Sequence, residues 1–367
     1  MLKAEKEGRT MSAANSVLSA LTEHPSFAPD KCINRRQRRF VCKVCSSLCP
    51  TGVFSLRDGE RLKWDRCIDC GICAAVCPSR CFVPSPSTQR YYSEEMGLSR
   101  PMSFACREEE ERCDHRVRCL AALPWELLAM IAMSTELALY IGACSGCEHK
   151  DWAGRIMVQL EQLRGFLGEE RWKRQVHVLT EGRFEVAAAE EKEELLSRRE
   201  IFSGLKRRAA KGLYRAAAAR LPLLAEKDAD GMQYRRALAT AVVEERKRTL
   251  ENAQEAPVYG AVLPRFTAAC YGCGICEKLC PQKAIEIGPE QEGKRLIYIT
   301  PWKCTTCSLC ARVCPHGGVS DMHEVRVPWL TQLALVRVPS ASCERCGAAI
   351  PPEAVPPLCP ACSAHKK

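Results

Sequence analysis

The chain has 367 residues, 26 of them cysteine, and a formal net charge of +10. Cysteine usage this high leaves three classes: a disulfide-stapled secreted scaffold, a zinc protein or an iron–sulfur protein. Many of the cysteines stand two residues apart on one turn, where they cannot staple distant segments, which excludes the first class; the length suggests two or three domains.

Residues 1–30 read as an N-terminal extension. MLKAEKEGRTMSAANSVLSALTEHP has no continuous apolar run behind its charges, so no secretory signal is expected. The arginine pairs of NRRQRRF and of SRREIF (197–202) lack the apolar stretch of a twin-arginine leader. The first cysteine-rich segment, 31–90, opens with CINRRQRRFVCKVCSSLCP. Its end carries the spacing of an iron–sulfur ligand run, C-x2-C-x2-C-x3-C-P, through Cys42, Cys45, Cys49 and Pro50. Its head does not, because the position of the first cysteine is Arg39, and Cys32 lies further out across a basic insert. GVFSLRDGERLKWD then alternates apolar and polar residues on both sides of Asp58-Gly59, the pattern of a hairpin. CIDCGICAAVCP follows as a complete run, Cys67, Cys70, Cys73 and Cys77. In such a run three thiolates sit on one tight loop around a cubane face, and small residues such as Gly71 let backbone N–H groups approach the sulfurs. The fourth cysteine, thrown clear by the proline-terminated turn, reaches a neighbouring cluster.

Segment 100–182 alternates strands and helices. MSFAC and RVRCL read as strands, PWELLAMIAMS as a helix, LALYIGAC as a buried strand, HKDWAGRIMVQLEQLRGFLG as an amphipathic helix and RWKRQVHVL as a closing strand. This βαβαβ order predicts a small parallel sheet, thioredoxin-like or flavodoxin-like. Pro124, Glu126 and Glu136 make the apolar window 119–144 a poor membrane span. Five cysteines fall here, Cys106, Cys113, Cys119, Cys144 and Cys147, with the last two at a strand-to-helix turn that stabilises thiolates. A [2Fe–2S] site, a redox disulfide at Cys144–Cys147 and buried inert thiols are the readings they allow. His149 reads as a helix N-terminal surface residue rather than a ligand.

Residues 183–256 lack cysteine and read as a helical connector. Ser197 resembles the start of a capping box, and Lys206, Arg207, Arg208 and Lys211 form a basic face that could dock an acidic partner, with plain hydration the favoured reading. Segment 257–325 carries two complete runs, CYGCGICEKLCP (Cys270, Cys273, Cys276, Cys280) and CTTCSLCARVCP (Cys304, Cys307, Cys310, Cys314). Gly272 and Gly274 are its close-approach residues, and an alternating hairpin pattern lies between the runs. At the C-terminus, 338–367, CERCG and CPAC pair as two knuckles (Cys343, Cys346, Cys359, Cys362) that suit a structural zinc ribbon; the segment between them is too short for a rubredoxin.

Residues 266–318 resemble a two-cluster bacterial ferredoxin module. That resemblance implies one [4Fe–4S] cluster on Cys270, Cys273, Cys276 and Cys314 and a second on Cys304, Cys307, Cys310 and Cys280. Residues 32–83 look like a second copy, which implies a cluster on Cys67, Cys70, Cys73 and Cys49. Another would be held by Cys42, Cys45 and Cys77 with one more ligand. Cys32 on a stretched loop is the favoured candidate, since loop insertion costs little entropy; Cys81 and a three-ligand [3Fe–4S] site are the alternatives. The middle region loosely resembles the small iron–sulfur subunit of hydrogenase/heterodisulfide reductase complexes, by its cysteine layout and element order.

The expected fold class is α+β: two ferredoxin-like dicluster modules flank a small α/β region and a helical connector, and a zinc ribbon ends the chain. The expected cofactors are about four [4Fe–4S] clusters, a candidate [2Fe–2S] centre and zinc. Four cubanes with their thiolates would carry about eight negative charges, leaving a net charge of about +2, so the basic excess is largely what the clusters require. No phosphate loop, nucleotide fingerprint or nucleophile–base constellation is present. The expected role is electron wiring within an anaerobic oxidoreductase complex, in the cytoplasm, with redox partner subunits rather than nucleic acid or an integral membrane span. A redox enzyme or sensor acting through Cys144 and Cys147, or a zinc-ribbon nucleic-acid-binding regulator, are the other classes.

Overall fold

A computed structural model of the chain describes residues 24–38, 41–54, 62–86, 88–89, 100–109, 113–182, 184, 231–252 and 255–364. Two compact units are formed, one from Met1–Ala28 and Lys43–Ala241, the other from Pro29–Cys42 and Val242–Lys367.

In the first unit, β1 (Ser26–Phe27) pairs antiparallel with β2 (Phe82–Val83), Phe27 opposite Phe82, and so ties the start of the first cysteine-rich segment to its end. The strand therefore begins before residue 31. Two short helices, Val44–Leu48 and Ile72–Val76, lie between and carry cysteines of the two runs. The hairpin expected around Asp58-Gly59 lies outside the described residues.

The α/β region follows. β3 (Met102–Cys106), β4 (His115–Val117), β5 (Leu137–Tyr140) and β6 (Val176–Leu179) form one sheet of order β4-β3-β5-β6, parallel throughout. That is the doubly wound order, whose ligand sites lie beyond the carboxyl ends of the strands where the order reverses. β5 is buried at every residue and β3 at all but Cys106, as parallel strands covered on both faces require. Helix Trp125–Ser134 is apolar nearly all round and buried from Trp125 to Ala132. Helix Lys150–Leu167 buries Trp152, Ile156, Leu160, Leu163 and Leu167, the stripe its periodicity predicts. The expected closing strand differs. Glu169–Gln175 is helical and only Val176–Leu179 is extended, because acidic residues open that turn and Lys173 and Arg174 close it, matching the helix dipole. Of the connector, Gln233–Glu251 is a single helix with Tyr234, Leu238 and Val242 buried. The remaining expected helices, with Ser197 and the basic face at 206–211, lie outside the described residues.

In the second unit, β7 (Tyr259–Phe266) pairs antiparallel with β10 (Val319–Val327), Phe266 opposite Val319. β8 (Ile285–Ile287) and β9 (Lys294–Ile299) form the expected hairpin, and β11 (Leu333–Pro339) adds a third strand on the other edge of β9. Leu263, Ala284, Ile285, Ile297, Ile299 and Val338 make its core. β12 (Ala341–Ser342) and β13 (Ala349–Ile350) form a small hairpin over Cys343, Ile350 and Cys359. The turn Ile33–Arg36 belongs to this unit. Ile33 packs on Leu309 and Val313, while Arg36 donates from Nε to the Leu279 carbonyl at 2.8 Å and from Nη2 to that of Lys278 at 2.9 Å. Among the described residues no helix is long and apolar enough to cross a membrane.

Candidate metal centres

The three complete runs share one backbone design. Two residues after the first cysteine, and again one residue after the second, the chain is left-handed: Asp69 (φ 49°) and Gly71 (74°), Gly272 (74°) and Gly274 (82°), Thr306 and Ser308 (both 55°). This curls the loop so that its thiols face inward, at some strain for the β-branched Thr306. Each run then enters a five-residue helix that carries its third cysteine: Ile72–Val76, Ile275–Leu279 or Leu309–Val313. The last cysteine of every run receives the N–H of the residue four positions on. Val53 donates to Cys49 Sγ at 3.3 Å, Cys81 to Cys77 at 3.4 Å, Ala284 to Cys280 at 3.3 Å and Gly318 to Cys314 at 3.2 Å. Such bonds hold the sulfur in place and stabilise its charged form.

Three groups of thiols lie close together. Cys307 is pushed up to about 12 by burial and then by the neighbouring thiolates of Cys304 and Cys280. Cys276 rises to about 12, again through burial first, then Cys270, Cys273 and Cys314. Cys73 is raised by burial and then by Cys70, Cys67, Cys45 and Cys49. Around Cys45, Cys49, Cys67, Cys70 and Cys73 lies an apolar cavity walled by Leu48, Ile72 and Trp64. A second opens among Cys280, Cys304, Cys307 and Cys310. Buried thiols crowded like this are poor as uncompensated anions, and iron supplies the positive charge that lets all four ionise together. The residues present fit cubane clusters.

The middle cysteines divide. Cys119 is pushed up to about 11 by burial, then by Cys144, Cys106 and Cys147. Cys144 reaches about 11 through burial, Cys106, Cys147 and Glu109. Cys106 ends β3, while Cys119 follows β4 and Cys144 and Cys147 follow β5, so all four lie at the carboxyl ends of the strands, where the doubly wound order reverses. Cys113 does not join them: its thiol donates to the His115 carbonyl at 3.4 Å, and its charged neighbours are Arg116 and Asp114. A cleft of about 520 Å³, lined by Ile141, Cys144, Ile156, Met157 and Thr180, opens beside Cys144. His149 precedes helix Lys150–Leu167 and stacks on Trp152 at 4.0 Å.

Sequence reasoning missed two residues here. Glu109 Oε2 accepts the Ala143 N–H at 2.8 Å, which anchors the loop before Cys144. Trp152 donates from Nε1 to the Leu48 carbonyl at 3.0 Å and packs with Leu48, Ile72 and Ala121 in one apolar cluster that Cys70 and Cys119 also touch. Neither carries a motif; only the apolar stripe of its helix marked Trp152.

At the C-terminus the sulfurs of Cys343, Cys346, Cys359 and Cys362 all lie within 4.8 Å of one another. The Gly347 N–H bonds the Cys343 carbonyl at 2.8 Å with Gly347 at φ 71°, which turns the first knuckle back on itself. Four thiolates on two knuckles fit a tetrahedral metal ion.

Comparison with protein-family models gives two matches: residues 269–318 match the 4Fe-4S dicluster domain, and residues 61–83 match the 4Fe-4S binding domain. No curated protein and no solved structure matches the chain. With ferredoxin-type 4Fe-4S binding domains at both places where its complete cysteine runs converge, this chain is an iron–sulfur protein with a role in electron transfer.

Proposed function

We propose that the chain is the electron-wiring component of an anaerobic oxidoreductase complex, carrying four [4Fe–4S] clusters in two ferredoxin-like modules. The observation that carries this reading is the exchange of fourth cysteines. Cys280 lies with Cys304 and Cys307, Cys314 with Cys270, Cys273 and Cys276, and Cys49, together with Cys45, with Cys67, Cys70 and Cys73. Exchange of this kind brings two clusters of a module side by side, as one-electron relay requires. When bound, the clusters take up and release single electrons. The protein's own groups set their potentials through burial, N–H bonds to sulfur and nearby charge.

The grouping of Cys106, Cys119, Cys144 and Cys147 favours a fifth redox centre, [2Fe–2S], in the α/β region. Cys70 and Cys119 touch the same apolar cluster, which supports electron exchange between that centre and the cluster on Cys67, Cys70, Cys73 and Cys49. The C-terminal knuckles suit structural zinc. Electrons would leave to redox partner subunits.

Iron, sulfide and zinc content of anaerobically purified chain, with EPR and Mössbauer spectra, tests the reading. Four cubanes and one zinc are expected, and a chain with zinc alone would sink it. In the same preparation Cys119→Ser loses the fifth centre and Cys113→Ser keeps it. Loss of that centre's iron in Cys113→Ser would show that the grouping is wrong. Co-purification with redox subunits tests the complex.

A further inference from the structure

Within the first unit, one helix touches the chain on both sides of two cysteine groups. Helix Lys150–Leu167 starts three residues after Cys147, and the His149 N–H just before it donates to Cys147 Sγ at 3.3 Å. From one face it then sends two buried side chains, seven residues apart. Trp152 donates from Nε1 to the carbonyl of Leu48 at 3.0 Å, and Leu48 directly precedes Cys49. Gln159 donates from Nε2 to the carbonyl of Ala121 at 2.8 Å, two residues after Cys119. The first bond ends on a segment that carries a candidate cubane ligand. The second ends on a segment that carries a candidate ligand of the α/β centre.

Those two parts of the chain also meet directly. Gly71, buried and left-handed at φ 74°, follows Cys70, and a Cβ on it would stand 3.5 Å from that of Ala122. The cysteine loop therefore packs on the turn Leu120–Ala122 that follows Cys119. Leu48, Ile72, Ala121 and Trp152 are the core of this contact, with Cys70 and Cys119 packed against it. Burial raises the Cys70 thiol first of all, and the Arg118 cation works the other way, so the residue before Cys119 acts electrostatically across the same contact.

A buried indole N–H and a buried amide must both be paired. Here each is paired with a backbone carbonyl, and each carbonyl belongs to a segment that bears a candidate ligand. The separation of the two cysteine groups is thereby set by backbone held to one rigid helix rather than by flexible side chains. A fixed, short separation is what one-electron exchange between two centres requires.

We propose that helix Lys150–Leu167 is a clamp for electron exchange. Trp152 and Gln159 are its positioning residues, holding the site of Cys49, Cys67, Cys70 and Cys73 against that of Cys106, Cys119, Cys144 and Cys147. One electron crosses the contact: one centre is oxidised by one electron, the other is reduced by one, and no bond or proton moves. The inference rests on the reading of these eight cysteines as two iron–sulfur centres and deepens it.

The test uses full-length chain purified anaerobically and reduced with dithionite. Trp152→Phe and Gln159→Leu each keep apolar bulk and remove one of the two hydrogen bonds. EPR reads the spin–spin splitting between the two reduced centres, and time-resolved absorption after photoreduction reads how fast an electron equilibrates between them. Wild-type chain is expected to show the splitting. Each variant is expected to keep its iron, lose part of the splitting and equilibrate more slowly, and the double variant to lose more than either; the single variants decide if the double one fails to fold. Wild-type splitting and rate in one variant would strike that residue from the clamp, and in both would overturn it. Loss of either centre's iron in both single variants would also overturn it, because the residues would then serve folding and not positioning. So would a wild-type chain that holds both centres without any splitting. A wild-type chain lacking the fifth centre would instead refute the reading beneath.

Discussion

Glu126 enters the sequence as a charge that spoils a membrane span, and in the folded chain it is 1 % exposed. Its Oε1 accepts from Arg80 Nη2 at 2.6 Å and from Arg235 Nη1 at 3.1 Å, and the Arg235 guanidinium lies 5.3 Å from the Trp125 ring centroid. Arg80 also donates to the Ala75 carbonyl at 2.7 Å, so the anion holds the segment between Cys77 and Cys81 against helix Trp125–Ser134. Removing one partner of a buried ionic group leaves its counter-charges uncompensated and costs about 3–5 kcal/mol. Glu126→Ala is therefore expected to lower stability by about that amount, read as a fall in the denaturant midpoint of anaerobic protein, with Glu126→Gln losing less. Spacing identifies ligand candidates at this scale because a loop of two residues constrains where thiols point. It says nothing of a triad built from residues 80, 126 and 235. Nor does it separate Cys113 from Cys106, since strands that meet only in the sheet decide which cysteines share a space.

Short elements carry cluster chemistry here, and the turn Ile33–Arg36 is the clearest case. Arg36 bonds the carbonyls of residues 278 and 279, and Lys31 Nζ bonds that of Pro281 at 3.2 Å. Two cations thus bracket Cys280 along the chain, and Ile33 packs in the same cluster as Cys307. The basic insert stands in the first cysteine-rich segment, whereas the fold gives its Arg36, together with Lys31, to the second module. Positive charge near a cluster stabilises its reduced form. Arg36→Met is expected to move the potential of one C-terminal cluster to more negative values in an EPR-monitored redox titration, while Arg35→Met, at an exposed position, leaves it in place. Equal effects from both variants would point to general surface charge instead. Elements whose signal is local were legible: the hairpin β8–β9, helix Lys150–Leu167 and helix Trp125–Ser134 follow from periodicity and length. β11 had no such signal, because its partner β9 lies more than thirty residues earlier and only pairing makes it a strand. Residues 169–175 went the other way, since the charges at the two ends of a turn outweighed an apolar pattern that only the last four residues complete.

At the scale of the whole molecule, among the described residues the C-terminal knuckles have a small core of their own. The C-terminal knuckles pack on Cys343, Ile350 and Cys359 and share no residue with the cluster that holds Leu263, Ile297 and Ile299. Cys359→Ser is accordingly expected to lose the metal ion proposed for the knuckles and lower thermal stability locally, with iron content and cluster EPR signals preserved. Loss of iron in that variant would mean that the two cores fold together. By itself the sequence determined the kind of chemistry and marked most of the candidate ligands, because the C-x2-C-x2-C-x3-C-P spacing is a local constraint that only a cubane-binding loop satisfies economically. It also determined that the middle of the chain is α/β, from hydrophobic periodicity. What only the tertiary structure decided depends on residues far apart in the chain. Those decisions are which four of the five middle cysteines converge, and which carbonyls Arg36 of the basic insert bonds. Each is a question of which surfaces fill the same volume, and packing settles that only when the strands have closed.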